Sequence, residues 1–331
     1  MTYHRRRPIS RLWALTCYFN PAGYRRKLAN FKTFRGHLEV PLVAVEQGFD
    51  GRFELGPDDA EILVRVSNGD VLWQKERLLN AGVKALPPSC DAVAWIDCDV
   101  IFDDADWADR AMRALDRFDL VHLFHERHNL PPDEPLDRLG RWTEPATSVS
   151  AVHKLAAGRG SINDLVQNDA QLQLRSTTGL AWATRREVIG GHGFYDACIL
   201  GGGDRVTLCA AMGEFAAGVR ANHMRGRRVE HYLAWARPYY ETVQGRVGAI
   251  PGRAFHLWHG ELKDRRYDAR LDLLDGFDPY ADIAPDPGGC WRWSSDKPGL
   301  HAAVRRYFET RNEDGDRAIG SAVPVGAVHE A

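Results

Sequence analysis

Four short apolar segments near the start of the chain alternate with helical patterns and end in polar residues. The segments cover 12–19, 41–45, 62–66 and 92–96, which is strand length. Between them, apolar residues recur at spacings of three and four, as in 28–38 and 73–83, which indicates amphipathic helices. Strands that alternate with helices favour βαβ units. We therefore predict an α/β fold with a Rossmann-like, mostly parallel central sheet flanked by helices.

The length, charge and cysteine pattern of the chain limit which kinds of protein it can be. The chain has 331 residues, 44% of them hydrophobic, with a formal net charge of -2. This fits one large domain or about two domains at ~150 residues each. Nucleic acid is not indicated as a partner, because a phosphate-binding surface usually shows as a basic excess. Six scattered cysteines without a C-x-x-C pair read as thiols in a reducing compartment. No run is long and apolar enough for a transmembrane segment, and no signal peptide is recognised, so we expect a cytoplasmic protein.

Polar residues cluster where the predicted strands end. Ligands of open α/β sheets bind at the carboxyl ends of strands, so these residues are candidates for one site. They are Asn20, Glu46, Asn68, Asp70, Asp97 and Asp99.

Two segments offer ligands for a divalent cation. Asp97 and Asp99 follow the fourth strand, and carboxylate oxygens suit Mn²⁺ or Mg²⁺. His256 and His259 follow a late apolar run, and imidazole also binds Mn²⁺ or Zn²⁺. On a strand at most one histidine would face a shared site, whereas on a helical turn both would. The alternatives are solvated loop acids and structural histidines.

A glycine-rich turn supplies a candidate general base. Gly201, Gly202 and Gly203 precede Asp204, which stands at the start of a predicted helix over 203–212. Asp204 is either a helix cap or a base that takes a proton from a hydroxyl. The spacing is not that of a dinucleotide-binding G-x-G-x-x-G loop. A zinc hydrolase is disfavoured, because 125–128 reads His-Glu-Arg-His and not His-Glu-x-x-His.

Taken in order, five segments resemble the GT-A glycosyltransferases, above all the β-1,4-galactosyltransferase type and also family 2. The likeness extends over about residues 12–265. Gly203 departs from the pattern, because this family usually has Glu there. The matching segments are Asn20-Pro21, 67–82 with Asp70 and Arg77, Asp97-Cys98-Asp99, 178–204 ending in Gly202-Gly203-Asp204, and His256-x-x-His259.

The resemblance implies a GT-A fold, a site and a division of the chain. It makes Asp99 and His259 ligands of Mn²⁺ or Mg²⁺, with His256 as a further ligand, and Asp204 the catalytic base. The implied donor-binding residues are Asn20, Glu46, Asp70, Arg77 and Asp97, and the implied acceptor or sugar contacts are Trp182, Gly202 and Gly203. The division is an N-terminal arm (1–11), a nucleotide-sugar half (12–127), a variable excursion (128–178), an acceptor and metal half (179–312) and a disordered tail (313–331).

The function that the resemblance implies is transfer, with inversion, of a hexose from a UDP-sugar to an acceptor hydroxyl. Two alternatives stay open. A sugar nucleotidyltransferase shares the α/β plan but typically has a glycine-rich basic loop after the first strand, where this chain has Asn20-Pro21-Ala22-Gly23-Tyr24-Arg25-Arg26. A non-catalytic carbohydrate-binding protein would use tryptophans to stack on sugars.

Overall fold

The computed structural model describes residues 11–167, 176–267 and 269–315. The strands in these ranges are β1 (Leu12–Phe19), β2 (Leu42–Gln47), β3 (Ile62–Val66), β4 (Ala92–Ile96), β5 (Val100–Phe102), β6 (Leu120–His122), β7 (Glu126–Asn129), β8 (Ser148–Ser150), β9 (Ser176–Thr177), β10 (Ala181–Arg185), β11 (Val247–Ala249), β12 (Arg253–His256), β13 (Ile283–Pro285) and β14 (Trp291–Trp293). The helices are α1 (Arg25–Gly36), α2 (Lys75–Ala85), α3 (Trp107–Ala114), α4 (Ala151–Ala156), α5 (Ile162–Leu165), α6 (Arg186–His192), α7 (Gly203–Ala211), α8 (Phe215–Ala221), α9 (Arg227–Val243) and α10 (Pro298–Glu309). Short 3-10 turns cover Pro57–Asp59, Leu136–Arg141, Leu262–Arg265 and Arg270–Leu274.

A central sheet of seven strands organises the described part of the chain. Its order is β11-β6-β10-β4-β1-β2-β3. Neighbouring strands run parallel, except that β10 is antiparallel to β4 and to β6. The predicted α/β class with a mostly parallel sheet is confirmed.

Both faces of the sheet are buried along β1, β2, β4, β6 and β10, which explains why these strands read as apolar runs, whereas the edge strand β3 is partly exposed. Along β1, Trp13 and Leu15 belong to one core cluster, whereas Leu12 and Ala14 belong to the other. This alternation follows from the two-residue period of a strand. The sheet is therefore a rigid base for the residues at its carboxyl edge.

Helix α2 lies unusually close to the sheet. A Cβ added to Gly82 would lie 2.3 Å from Cδ1 of Leu15 and 2.8 Å from Cγ2 of Val45. A larger residue at position 82 would require the Leu15 and Val45 side chains to move. The tight packing fixes the first turn of α2, which carries Lys75 and Glu76, at the carboxyl edge of the sheet.

A second sheet takes short strands from the segment that the sequence analysis treated as a variable excursion. Its order is β5-β12-β7-β8-β9, so β12 pairs with β5 and β7, β8 pairs with β7, and β9 pairs with β8. Strands of two to four mixed polar residues give little periodicity, which is why this sheet was not predicted. Residues 168–175 lie outside the described residues.

Two other predictions differ from the structure. The helix predicted over 104–118 is shorter, because the Asp104 carboxylate accepts the Asp106 amide (3.0 Å) in a turn before α3 begins. Residues 313–315, predicted to be in a disordered tail, are packed, and Glu313 is 2% exposed. The rest of that tail, and residues 1–10 of the predicted arm, lie outside the described residues. Among the helices that the structure describes, none has the length and apolarity to cross a membrane.

Candidate active site

Three predicted metal ligands come together at the end of β4. Oδ2 of Asp99 lies 3.1 Å from Nε2 of His259, and Oδ1 of Asp99 lies 3.7 Å from Nε2 of His256. The two Nε2 atoms are 3.2 Å apart. The three side chains thus point one nitrogen or oxygen each at a common centre, and their potential ligand atoms lie within 4.8 Å of one another.

Strand register explains this convergence. Strand β5 begins one residue after Asp99 and pairs antiparallel with β12, with Val100 opposite His256. The Leu257 amide then donates to the Asp99 carbonyl (2.8 Å), which holds the end of β12 against the turn. Because the strand ends at His256, His259 is free of the strand's alternation. The sequence left open whether one or both histidines face the site, and the structure has both there.

The chemistry of this group suits a divalent cation. Burial and the nearby Arg265 lower the pKa of His259 to about 3, and burial lowers the pKa of His256 well below its usual value. Both imidazoles are therefore neutral, the form that binds metals. Oδ1 of Asp99 is buried and has no hydrogen-bond partner among the described residues. One carboxylate and two imidazoles fit Mn²⁺ better than Mg²⁺, which prefers oxygen ligands.

A buried carboxylate faces the metal group from behind. Oε1 of Glu313 lies 3.8 Å from Nδ1 of His259 and 2.5 Å from Nε of Arg311, and Oε2 lies 3.5 Å from Nζ of Lys27. Burial alone would raise the pKa of Glu313, but Arg311 and Lys27 lower it well below its usual value. A carboxylate behind a histidine is a common way to orient a metal-binding imidazole. Its position in a polar segment gave no sequence signal.

The second group at this edge is built on Lys75. Its Nζ lies 2.6 Å from Oδ1 of Asp97 and 2.7 Å from Oδ2 of Asp204, and Nε1 of Trp95 donates to Oδ1 of Asp204 at 3.4 Å. Burial alone would lower the pKa of Lys75, but Asp204 and Asp97 raise it well above its usual value. Lys75 is therefore a buried cation that fixes both acids. Asp97 and Asp99 are two residues apart in the sequence, yet Asp97 contacts Lys75 whereas Asp99 contacts the two histidines.

Asp204 occupies the second position of α7, behind two glycines with distinct roles. Gly202 has a φ of 97°, a conformation that favours glycine. At Gly203 the Oε1 atom of Glu76 takes the space that a side chain would need. Burial raises the pKa of Glu76 to about 8, so its carboxyl is mostly neutral at pH 7. The sequence lacks the acidic residue that the family pattern has at position 203. In the structure, the buried Glu76 carboxyl from α2 lies beside this position.

A small cavity near the metal group is lined by Asn20, which was predicted to bind the donor. Its amide accepts from the Tyr24 amide and donates to the Tyr24 carbonyl, both at 2.9 Å. The Tyr24 hydroxyl lies 2.9 Å from the Glu309 carbonyl and 3.1 Å from the Asn312 amide, so α10 and the segment after it close this cavity. The Asp314 carboxylate also accepts the Arg25 and Arg26 amides at the start of α1. The cavity is lined by Phe19, Asn20, Pro21, Ala22, Tyr24, Lys27, Trp73, Phe308, Arg311 and Glu313.

Three other predicted donor residues have protein partners. The buried Glu46 carboxylate accepts the Glu54 and Leu55 amides. Asp70 accepts the Trp293 amide (2.7 Å). Arg77 donates to Asp196 (3.1 Å), and its Cζ lies 4.1 Å from the centroid of the Trp291 ring. These bonds attach the loops around the site and do not involve the metal group.

Trp182 does not offer a ring face to a sugar. Its side chain is 1% exposed, and its ring stacks on His122 at a centroid distance of 4.2 Å. Its Nε1 donates to the Thr178 carbonyl (3.0 Å). The predicted sugar contact therefore lacks an exposed surface, because β10 is a central strand with both faces covered.

A wider cleft opens beside Asp97 and Asp204 and is bordered by cations. The residues that sequence reasoning missed there share a basic or phenolic side chain and come from helices, a strand and loops far apart in the chain. They are Lys75, Arg127, Arg205, Tyr267, Arg270 and Arg311.

No protein-family model and no curated protein matches this sequence. Among solved structures, the chain is similar to S. aureus TarS 1–349, with 11% identity over 96% of this chain and 76% of that one and a TM-score of 0.37. It is also similar to glucosyl-3-phosphoglycerate synthase from Mycobacterium tuberculosis in complex with Mn²⁺, UDP-glucose and phosphoglyceric acid. That match has 13% identity, covers 87% of this chain and 88% of that one, and has a TM-score of 0.40.

Proposed function

We propose that this protein is a metal-dependent, inverting glycosyltransferase that moves a hexose from a UDP-sugar to an acceptor hydroxyl. The observation that carries the proposal is the pairing of two groups at one sheet edge. Asp99, His256 and His259 form a group with the donor set of a divalent cation, and Asp97, Lys75 and Asp204 form an acid group beside it. A leaving diphosphate needs its charge balanced, and an acceptor hydroxyl needs a base. Mn²⁺ held by Asp99, His256 and His259 would stabilise the negative charge that develops on the diphosphate.

Asp204 is the proposed base. Its carboxylate borders the open cleft and is held by Lys75 and Trp95, so its position is fixed before a substrate arrives. A positioned carboxylate that takes the hydroxyl proton contributes ~10² to 10⁴-fold to the rate. Attack from the side opposite the leaving diphosphate inverts the anomeric carbon. Lys75 keeps the neighbouring acids from repelling each other.

The chain's own residues also support a nucleotide at the donor side. The cavity around Asn20 is closed on one side by Phe19 and Trp73 and adjoins Lys27 and Arg311. Aromatic walls suit a nucleotide base. Lys27 and Arg311 are already paired with Glu313, so the donor phosphates would be balanced mainly by the cation that Asp99, His256 and His259 would hold.

The test is a turnover assay with several UDP-sugars, with Mn²⁺ or with EDTA. We expect Mn²⁺-dependent release of UDP, faster with an acceptor, and NMR should detect inversion at the anomeric carbon of the product. Release of pyrophosphate from UTP and a sugar phosphate would indicate the nucleotidyltransferase alternative. Binding of sugars with no UDP release from any donor would indicate a carbohydrate-binding protein.

A further inference from the structure

The wide cleft beside Asp204 contains cations that the proposed transfer reaction does not use. Arg205, Arg270 and Arg311 line it and are 6%, 5% and 6% exposed. Burying a guanidinium removes its hydrating water, and this loss costs free energy. Buried guanidinium groups are therefore normally paired with an anion. Arg311 has its carboxylate partner in Glu313. Arg270 has no such carboxylate partner among the described residues.

Arg270 is the clearest case. Its Nη1 donates to the Tyr307 hydroxyl (3.0 Å), and its Cζ lies 4.6 Å from the centroid of the Tyr267 ring. Its Nε is buried and has no hydrogen-bond partner among the residues described. Within the same residues no carboxylate oxygen lies within 4.0 Å of its guanidinium nitrogens. Its described contacts are thus with uncharged groups.

A second arginine increases the positive charge behind Arg270. Arg265 is 6% exposed, its Nη1 lies 3.5 Å from the Tyr267 hydroxyl, and its Nε has no hydrogen-bond partner in the described part of the chain. Burial alone would raise the pKa of the Tyr267 phenol, but Arg265 and Arg270 lower it to about 8. The lowered pKa of Tyr267 reports a positive field in this part of the cleft.

The position of Arg270 assigns it to the acceptor side. Its Nη2 lies 3.2 Å from where a Cβ of Gly201 would be, and Gly201 begins the turn that leads into α7 and Asp204. Arg270 and Asp204 line the same cleft, and none of the three metal-group residues lines it. Arg265 also reaches the metal group, because its Nη2 lies 3.5 Å from the His259 carbonyl. An anion at Arg270 would therefore lie in the cleft of the proposed base.

We infer that the acceptor carries a phosphate or carboxylate group, and that Arg270, supported by Arg265, binds this anion while Asp204 faces the acceptor's hydroxyl. The identification of the bound molecule as the acceptor rests on the proposed function, whereas the anion site itself does not. A guanidinium offers a planar fork that matches both anions. A neutral acceptor would leave Arg270 without an anionic partner among the described residues.

The test uses glycerol 3-phosphate as the probe and glycerol as its uncharged counterpart. Each is titrated by calorimetry into the full-length protein saturated with UDP and Mn²⁺. We expect the phosphate to bind and glycerol not to, and Arg270→Gln to weaken phosphate binding at least tenfold while changing UDP binding less than twofold. Arg292→Gln, an exposed arginine on β14, is the matched control and should change neither.

Three results would overturn the inference. They are no phosphate binding by the unaltered protein, unchanged phosphate binding by Arg270→Gln, or an equal loss of UDP binding, which would assign Arg270 to the donor diphosphate. If Arg270→Gln does not fold, Arg270→Lys replaces it, since lysine keeps the charge but loses the fork. We then expect at least threefold weaker binding, and unchanged binding counts against the site. If UDP does not bind at all, the proposed function fails, whereas the same titration without UDP still tests the anion site.

Discussion

A Cβ on Gly203 would lie 2.0 Å from Oε1 of Glu76. The Glu76 side chain, 127 positions earlier in the sequence, therefore occupies the space that a side chain at position 203 would need. Gly203 begins α7, and Glu76 is in the first turn of α2. The missing side chain at 203 and the buried carboxyl at 76 are therefore one structural feature. Their contact fixes the distance between the two helices that carry Lys75 and Asp204.

Gly203→Ala should destabilise the protein by about 1–3 kcal/mol, because the new methyl group must displace a buried side chain. Thermal and denaturant unfolding measure the loss. Gly190→Ala is the matched control, since Gly190 is also helical and has no atom within 4 Å of its added Cβ. In the double variant with Glu76→Ala, the cost of Gly203→Ala should shrink. Strict additivity of the two changes would disprove the contact.

Glu76→Gln should change how stability depends on pH. The folded pKa of Glu76 is raised from 4.5 to about 8, so the folded protein holds this proton more tightly than the unfolded chain. Its contribution to stability is therefore complete below pH 4.5 and is lost as pH rises to about 8. Glutamine does not titrate. The free energy of unfolding of Glu76→Gln, relative to the unaltered protein, should increase between pH 5 and pH 8. A constant difference would mean that Glu76 titrates normally.

Asp99→Ala should weaken Mn²⁺-dependent UDP binding tenfold or more, because it removes the carboxylate shared by both histidines. Calorimetry with and without Mn²⁺ measures the effect. Asp109→Ala, an exposed acid on α3, should bind UDP normally. Equal binding by the two variants would remove Asp99 from the metal group.

Asp204→Asn should keep UDP binding and lower turnover by ~10²-fold or more, because asparagine retains the shape but cannot take a proton. Steady-state kinetics separate the two effects, with kcat reduced and donor affinity retained. Asp109→Asn serves as the control. Near-normal turnover would leave Asp204 with a structural role at the start of α7.

Mn²⁺ binding should persist at mildly acidic pH. The pKa of His259 is lowered to about 3 and that of His256 is also lowered, so neither imidazole gains a proton between pH 7.5 and pH 5.5. Histidines with an ordinary pKa near 6.5 would lose about tenfold in affinity each by pH 5.5. Titration of Mn²⁺ alone at both pH values checks this. A fall of tenfold or more would contradict it.

The sequence predicts the elements that repeat a simple period and misses those that do not. Strands β1, β3 and β4 have the predicted bounds, because each is a short, mostly apolar run; β1 and β4 are buried on both faces, whereas β3 is a partly exposed edge strand. Asp99, His256 and His259 were found from their place at strand ends. Arg270 and Glu313 carry no local pattern, because only the folded chain brings them to the cleft or the metal group. The burial of Trp182 depends on β10 being a central strand, which its own sequence does not reveal.

The segment around Tyr24, Asn312 and Asp314 joins two parts of the chain that are made far apart in time. A ribosome synthesises β1 to β4 about two hundred residues before it reaches 311–315. Arg311 and Glu313 therefore do not yet exist when these strands leave the ribosome. The cavity proposed to hold the nucleotide is completed only late in synthesis, because residues of its wall are among the last of the described chain to be made.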